Sequence, residues 1–91
     1  MAVTHGLPGA DLVEQGLEDL TSGRLTEAAL LVSIGAPRLT RLGVALPSII
    51  PDAEHRLYAL LSERGPDGAH SRYNALIRRL VSFERALACA R

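Results

Sequence analysis

Lysine and tryptophan are absent from this chain, cysteine occurs once, and only two tyrosines and one phenylalanine represent the aromatics. A lone Cys89 excludes an internal disulfide and any Cys-x-x-Cys zinc or redox motif, and it suits a reducing compartment. Neither sign of charge is in excess, with ten acidic and ten basic residues, so the chain as a whole lacks the field that gathers nucleic acid or anionic lipid. The longest apolar run, "AALLVSI", is far short of the roughly 18 residues a membrane span needs. The opening "MAVTHGLPGADLVEQG" has no basic stretch followed by an apolar one. These absences lead us to expect a soluble, cytoplasmic protein with no membrane partner. Every basic residue is arginine, which together with many alanines and leucines suggests a GC-rich bacterial genome.

No stretch alternates with period two, and there is no internal repeat or low-complexity tract. What is present is helical periodicity. From Asp11 to Leu20, Leu12, Val13, Gly16, Leu17 and Leu20 recur on one face, opposite Asp11, Glu14, Glu18 and Asp19. "TSG" at 21–23 stops that helix, with Gly23 suited to the left-handed position beyond its end, and Thr26 reads as the next N-cap. "EAALLVSI" is apolar nearly all round and belongs in a core. Gly35 is expected to close it, Pro37 to open a short helix "PRLTRL", and Gly43 to end that one. "VALPSIIP" reads as an extended connector whose Ile49 and Ile50 turn inward.

Asp52 is placed to cap a helix running to about Arg64, with Leu57, Leu60 and Leu61 on the core side and Tyr58 at their edge. "RGPDGAHS" is a turn. The last helix, from about Ala69 or Ser71 onward, carries the stripe Tyr73, Leu76, Ile77, Leu80, Phe83 and Leu87. The expected fold is all-α: one domain over 1–91, four main helices plus one short helix in a compact bundle, with residues 1–9 a flexible head. A chain of 91 residues buries only roughly 60–65% of its unfolded surface, so the core is adequate but small.

Five patterns bear on function. "TEAALLVSIGAPRLTRLGVAL" has the rough spacing of a DNA-binding helix-turn-helix, but its second helix is only about two turns long and offers just Arg38, Thr40 and Arg41 to a groove. The last helix carries Arg72, Arg78, Arg79, Arg85 and Arg91 against Glu84 alone. Arg72 and Arg79 form one column seven residues apart, and Arg78 and Arg85 another, suited to phosphates but with no aromatic between them for base stacking. The acidic first helix offers these arginines a simpler counterpart, in the same chain or in a second copy.

Glu84 falls on the apolar side of its helix, between the directions of Tyr73 and Ile77. A charge there raises its own pKa, reaches water near the helix end or recruits a partner, for which Arg56, an arginine of another subunit, Tyr58 and Tyr73 are the candidates. Metal binding fails on spacing. His70 and Glu84 lie roughly 21 Å apart along one helix, His55 has Tyr58 and Ala59 where ligands would stand, and His5 lies in the head. "LLVSIG" lacks the first glycine and the strand of a nucleophile elbow, so Ser33 is expected to bond back to its own helix.

The sequence therefore points to a helical protein-interaction module, homodimeric, with no cofactor, no metal and no evident catalysis. A marginal core, an excess of apolar helix surface for a small chain and complementary acidic and basic helices motivate that expectation. The alternative is a nucleic-acid-binding accessory protein using Arg72, Arg78, Arg79 and Arg85. A third is an enzyme with Glu84 as acid or base beside His55 or Tyr73.

Overall fold

A computed structural model describes residues 6–90. His5, Arg91 and the first part of the expected head lie outside the described residues. Four helices make the fold: α1 (Ala10–Ser22), α2 (Glu27–Arg41), α3 (Ala53–Arg64) and α4 (Ala69–Ala90), with a 3-10 turn at Pro66–Gly68 leading into α4. Among the described residues there is no strand, and no helix is long and apolar enough to cross a membrane.

The α2 helix lies at the centre. Its residues Ala28 to Ser33 are buried on every side, as the apolar character of all but Ser33 requires, and α1, α3 and α4 all pack against it. The core around it is built from Val13, Leu30, Leu31, Val32, Leu39, Leu57, Leu61, Phe83 and Leu87. Helix α1 approaches α2 closely at Gly16, where a Cβ would collide with the Ala28 carbonyl oxygen and Val32 Cγ2. Gly9, with φ at 75°, starts α1 against α4; a Cβ there would stand 2.8 Å from the Arg79 carbonyl oxygen. Residues 6–9 of the expected head thus form a turn, with Leu7 half-buried on the core and its carbonyl accepting from Ala10 N at 3.0 Å.

Helix boundaries follow local chemistry at most ends. Gly23, at φ 77°, donates to the Leu20 carbonyl, and Thr26 Oγ1 accepts from Ala29 N at 3.1 Å, capping α2. Gly43, at φ 96°, follows the end of α2, where Val44 N–H reaches back to the Leu39 carbonyl at 3.0 Å.

Three expectations are corrected. Gly35 does not end a helix and Pro37 does not begin one, since α2 runs unbroken from Glu27 to Arg41 and absorbs the short helix. Gly35 is there for its size. A Cβ at this position would sit 3.0 Å from both Leu80 Cδ1 and Glu84 Oε2 of α4, so the glycine lets the two helices meet. Pro37 forfeits one helical hydrogen bond but is exposed and lies beyond the crowded centre of the helix. Asp52 precedes α3 as expected but does not cap it with its side chain: its backbone is left-handed, φ 56°, and its carboxylate accepts no capping bond. In the connector, Ile50 packs on the core whereas Ile49 stays 47% exposed. Ser33 Oγ donates to the Ala29 carbonyl at 2.9 Å and accepts from Ile50 N at 3.0 Å, tying the connector to α2.

Candidate functional site

Beside the crossing of α2 and α4 lies an open cleft of about 370 Å³. Ile34, Ile77, Leu80 and Val81 give it apolar walls, and its two ends differ in charge. At one end Arg38 and Arg41 of α2 stand near Glu84, close enough for both guanidinium charges to act on its carboxyl. At the other end Glu54 of α3 stands near Tyr73 and acts on its phenol. Tyr73 and Glu84 are eleven residues apart on α4, so the ends are separated by roughly 16 Å along the helix.

Glu84 is buried, at 5% exposure, in the direction its helical phase implies, and its side chain lines the cleft. Burial pushes its carboxyl above the usual range, while the Arg38 and Arg41 charges pull the other way without cancelling that effect. Arg56 is not its partner. That side chain lies beside Leu20, Gly23 and Ile49 in a different surface pocket. Tyr73 cannot reach Glu84 within one chain, because the shared helix holds them apart; its own pKa is raised by burial and by the Glu54 charge. Tyr58 packs its ring on Tyr73, centroids 5.7 Å apart, and on His70 at 6.5 Å. Among the described residues no hydrogen bond links Glu84 to a second group that would make an acid–base pair.

The four described arginines of α4 divide by column. Arg72 Nη2 donates to the Leu61 and Gly65 carbonyls at 2.8 and 2.7 Å, closing the C-terminal end of α3. Arg79 reaches Asp11 of α1 at 3.3 Å, an exposed pair in which the basic helix meets the acidic one of its own chain. That column serves the fold. Arg78 and Arg85 remain exposed. By helical phase they stand next to the cleft wall, Arg78 one turn on from Asn74 and Arg85 one turn on from Val81.

The helix-turn-helix pattern is removed by the continuity of α2. Among the described residues no three His, Cys, Asp or Glu side chains gather as a metal site would require. His55 is exposed, His70 bonds to Asn74 at 3.2 Å, and Cys89 is exposed near the end of α4.

Helical periodicity puts Asp19 on the solvent face of α1, and the structure corrects this. It is 3% exposed, and it accepts from Gln15 Nε2, Arg24 Nε and Nη2, and Thr26 Oγ1 at 2.9, 3.1, 2.9 and 2.6 Å. These bonds, those from Thr26 and Arg24 foremost, hold its carboxyl below the usual range. A signal was present: a carboxylate in the last turn of a helix faces the negative end of the dipole and needs nearby donors. A further apolar patch, with Leu25 at 55% and Ile49 at 47% exposure, flanks the Arg56 pocket.

Comparison with protein-family models, curated proteins and solved structures finds no match to this chain.

Proposed function

We propose that this chain is a small helical protein-interaction module that works as a homodimer in a bacterial cytosol. The observation that carries this reading is the open cleft on α4, the longest helix, where Ile34, Tyr73 and Ile77 remain only half-buried. Apolar side chains left half-covered around a concave surface favour association with another surface. The small core of a 91-residue chain gives a second copy further value as a stabiliser.

Sedimentation equilibrium at tens of micromolar tests the reading. The expected result is twice the 9.7 kDa chain mass in both low and moderate salt. A single-chain mass in both would overturn it.

Nucleic-acid binding is the second reading, favoured only by the exposed Arg78 and Arg85, since Arg72 and Arg79 are engaged within the chain. Two arginines support few phosphate contacts, and we expect no shift of labelled DNA or RNA at low salt. A shift that weakens steeply with salt and is lost in the Arg78→Ala/Arg85→Ala double variant would replace the first reading.

A further inference from the structure

We propose that the occupant of the α2–α4 cleft is the same cleft of a second copy, docked about a twofold axis that sets the two α4 helices antiparallel. The inference rests on the reading of the chain as a self-associating module and adds where and how it associates. Its basis is the order of side chains along the cleft: acidic Glu54 with Tyr73 at one end, apolar Ile77 and Val81 in the middle, and Arg38 with the buried Glu84 at the other.

A surface that meets its own copy across a twofold axis must be complementary to itself when reversed, so each group finds its counterpart at the opposite end. Most patches fail that requirement, because like charges then face each other. The two ends of this cleft satisfy it, and the one like-charged meeting, Arg78 with its own copy near the axis, falls at the exposed rim, where solvent screens it. With the axis level with residue 79, residues whose numbers sum to about 158 face each other across antiparallel helices. Ile77 of one copy then lies against Val81 of the other, and the apolar centres are covered together.

Tyr73 of one copy comes opposite the Glu84 end of the other. Its phenol is a donor, and Glu84 is a buried carboxyl that lines the cleft with no hydrogen bond to another side chain among the described residues. Glu54, beside Tyr73, comes up to the end of the opposite cleft where Arg38 stands, and the twofold axis repeats each contact. By the same count Asn74, also lining the cleft, comes level with Glu84 of the other copy and Tyr73 with the adjoining Arg85, an arrangement without charge conflict. The α1 helix is a poorer occupant: its outward residues Asp11, Glu14, Gln15 and Glu18 are polar and bring nothing to cover Ile77 and Val81.

The experiment is a charge exchange. Glu54 and Arg38 are both exposed in the single chain, and because Arg38→Glu also removes a charge acting on Glu84, the helical signal of each single variant is checked by circular dichroism and recovery on mixing separates a lost contact from a lost fold. Each variant alone places like charges at both symmetry-related contacts and is expected to shift from twice the chain mass toward the single-chain mass, with dimer affinity down by about tenfold or more. An equimolar mixture of the two variants restores opposite charges at both contacts of the mixed dimer. It is expected to regain the dimer mass, as is the Glu54→Arg/Arg38→Glu double variant.

Wild type that dimerises while both single variants dimerise equally well would overturn this interface and leave self-association standing. Single variants that become monomeric but are not rescued by mixing would also overturn it. Wild type that is monomeric would overturn both this inference and the proposed function.

Discussion

Two buried carboxyls of this chain behave in opposite ways, and pH separates them. Asp19 is surrounded by donors, and its folded pKa lies below the ordinary 3.8. The folded state therefore binds fewer protons than the unfolded one in that range, so the stabilisation is complete above pH 3.8 and lost as pH falls through the folded value. Asp19→Asn is expected to lower the melting temperature by several degrees at pH 7, with the gap to wild type closing on acidification below about pH 4. Glu84 has few donors, and its folded pKa lies above the ordinary 4.5. There the folded state binds more protons, so the contribution is present below pH 4.5 and lost as pH rises through the folded value. Glu84→Gln is accordingly expected to raise the melting temperature of the single chain, measured at low protein concentration, at neutral pH and to have no effect below pH 4.5. Thermal melts of both variants across pH 3 to 8 check the pair, and a Glu84→Gln variant less stable than wild type at pH 7 would mean that its arginines outweigh burial. Of these two sites only Glu84 is legible in the sequence, because helical phase reports which way a side chain points and Glu84 obeys it. Asp19 is buried by the loop after α1: Arg24 and Thr26 fold back over the last turn of that helix, a geometry that periodicity does not encode.

At the scale of elements, glycines divide by what they do, and the same letter misleads at one position and informs at others. Gly23 and Gly43 end helices through left-handed backbone, as sequence chemistry implies. Gly16 sits inside a helix because α2 leaves no room for a Cβ, Gly35 sits where a Cβ would press on the side-chain ends of Leu80 and Glu84, and nothing in a single sequence distinguishes such uses from a stop. For that reason the sequence pattern divides α2 into two helices where the fold has one. The amphipathic stripes of α1 and α4, the cap at Thr26 and the connector between α2 and α3 are all legible, since each depends on residues close in sequence. The cleft is not, because it arises from where α2 crosses α4. Gly16→Ala tests the packing role by its sign. If helix propensity decided the outcome, alanine would stabilise α1 by about 1 kcal/mol. The Ala28 carbonyl is backbone and cannot turn aside, so α1 must shift away from α2, and we expect a loss of roughly 1–3 kcal/mol in urea unfolding. A gain in stability would show that the two helices separate without penalty.

For the whole molecule, the question is how a chain of this size stays folded with its longest helix partly uncovered. It measures 38 × 24 × 19 Å and exposes 5401 Å² of surface, of which an interface of about 800 Å² per partner would cover roughly a seventh. If the cleft is covered by a second copy as proposed, Tyr73, Ile77 and Ile34 add apolar burial to that of the single core, and folding and association are then linked in one equilibrium. Linkage makes stability depend on concentration: a tenfold increase favours the dimer by about 1.4 kcal/mol, or about 0.7 per chain, against the unfolded state. For a domain of this size that corresponds to a melting temperature higher by about 3–5 °C per decade of protein concentration. Thermal melts at 5, 50 and 500 μM measure it directly. A melting temperature that does not move would mean that the four helices hold together without a partner. A rise that disappears in Glu54→Arg and returns when that variant is mixed with Arg38→Glu would place the missing stability at the cleft, where the sequence leaves its apolar stripe open.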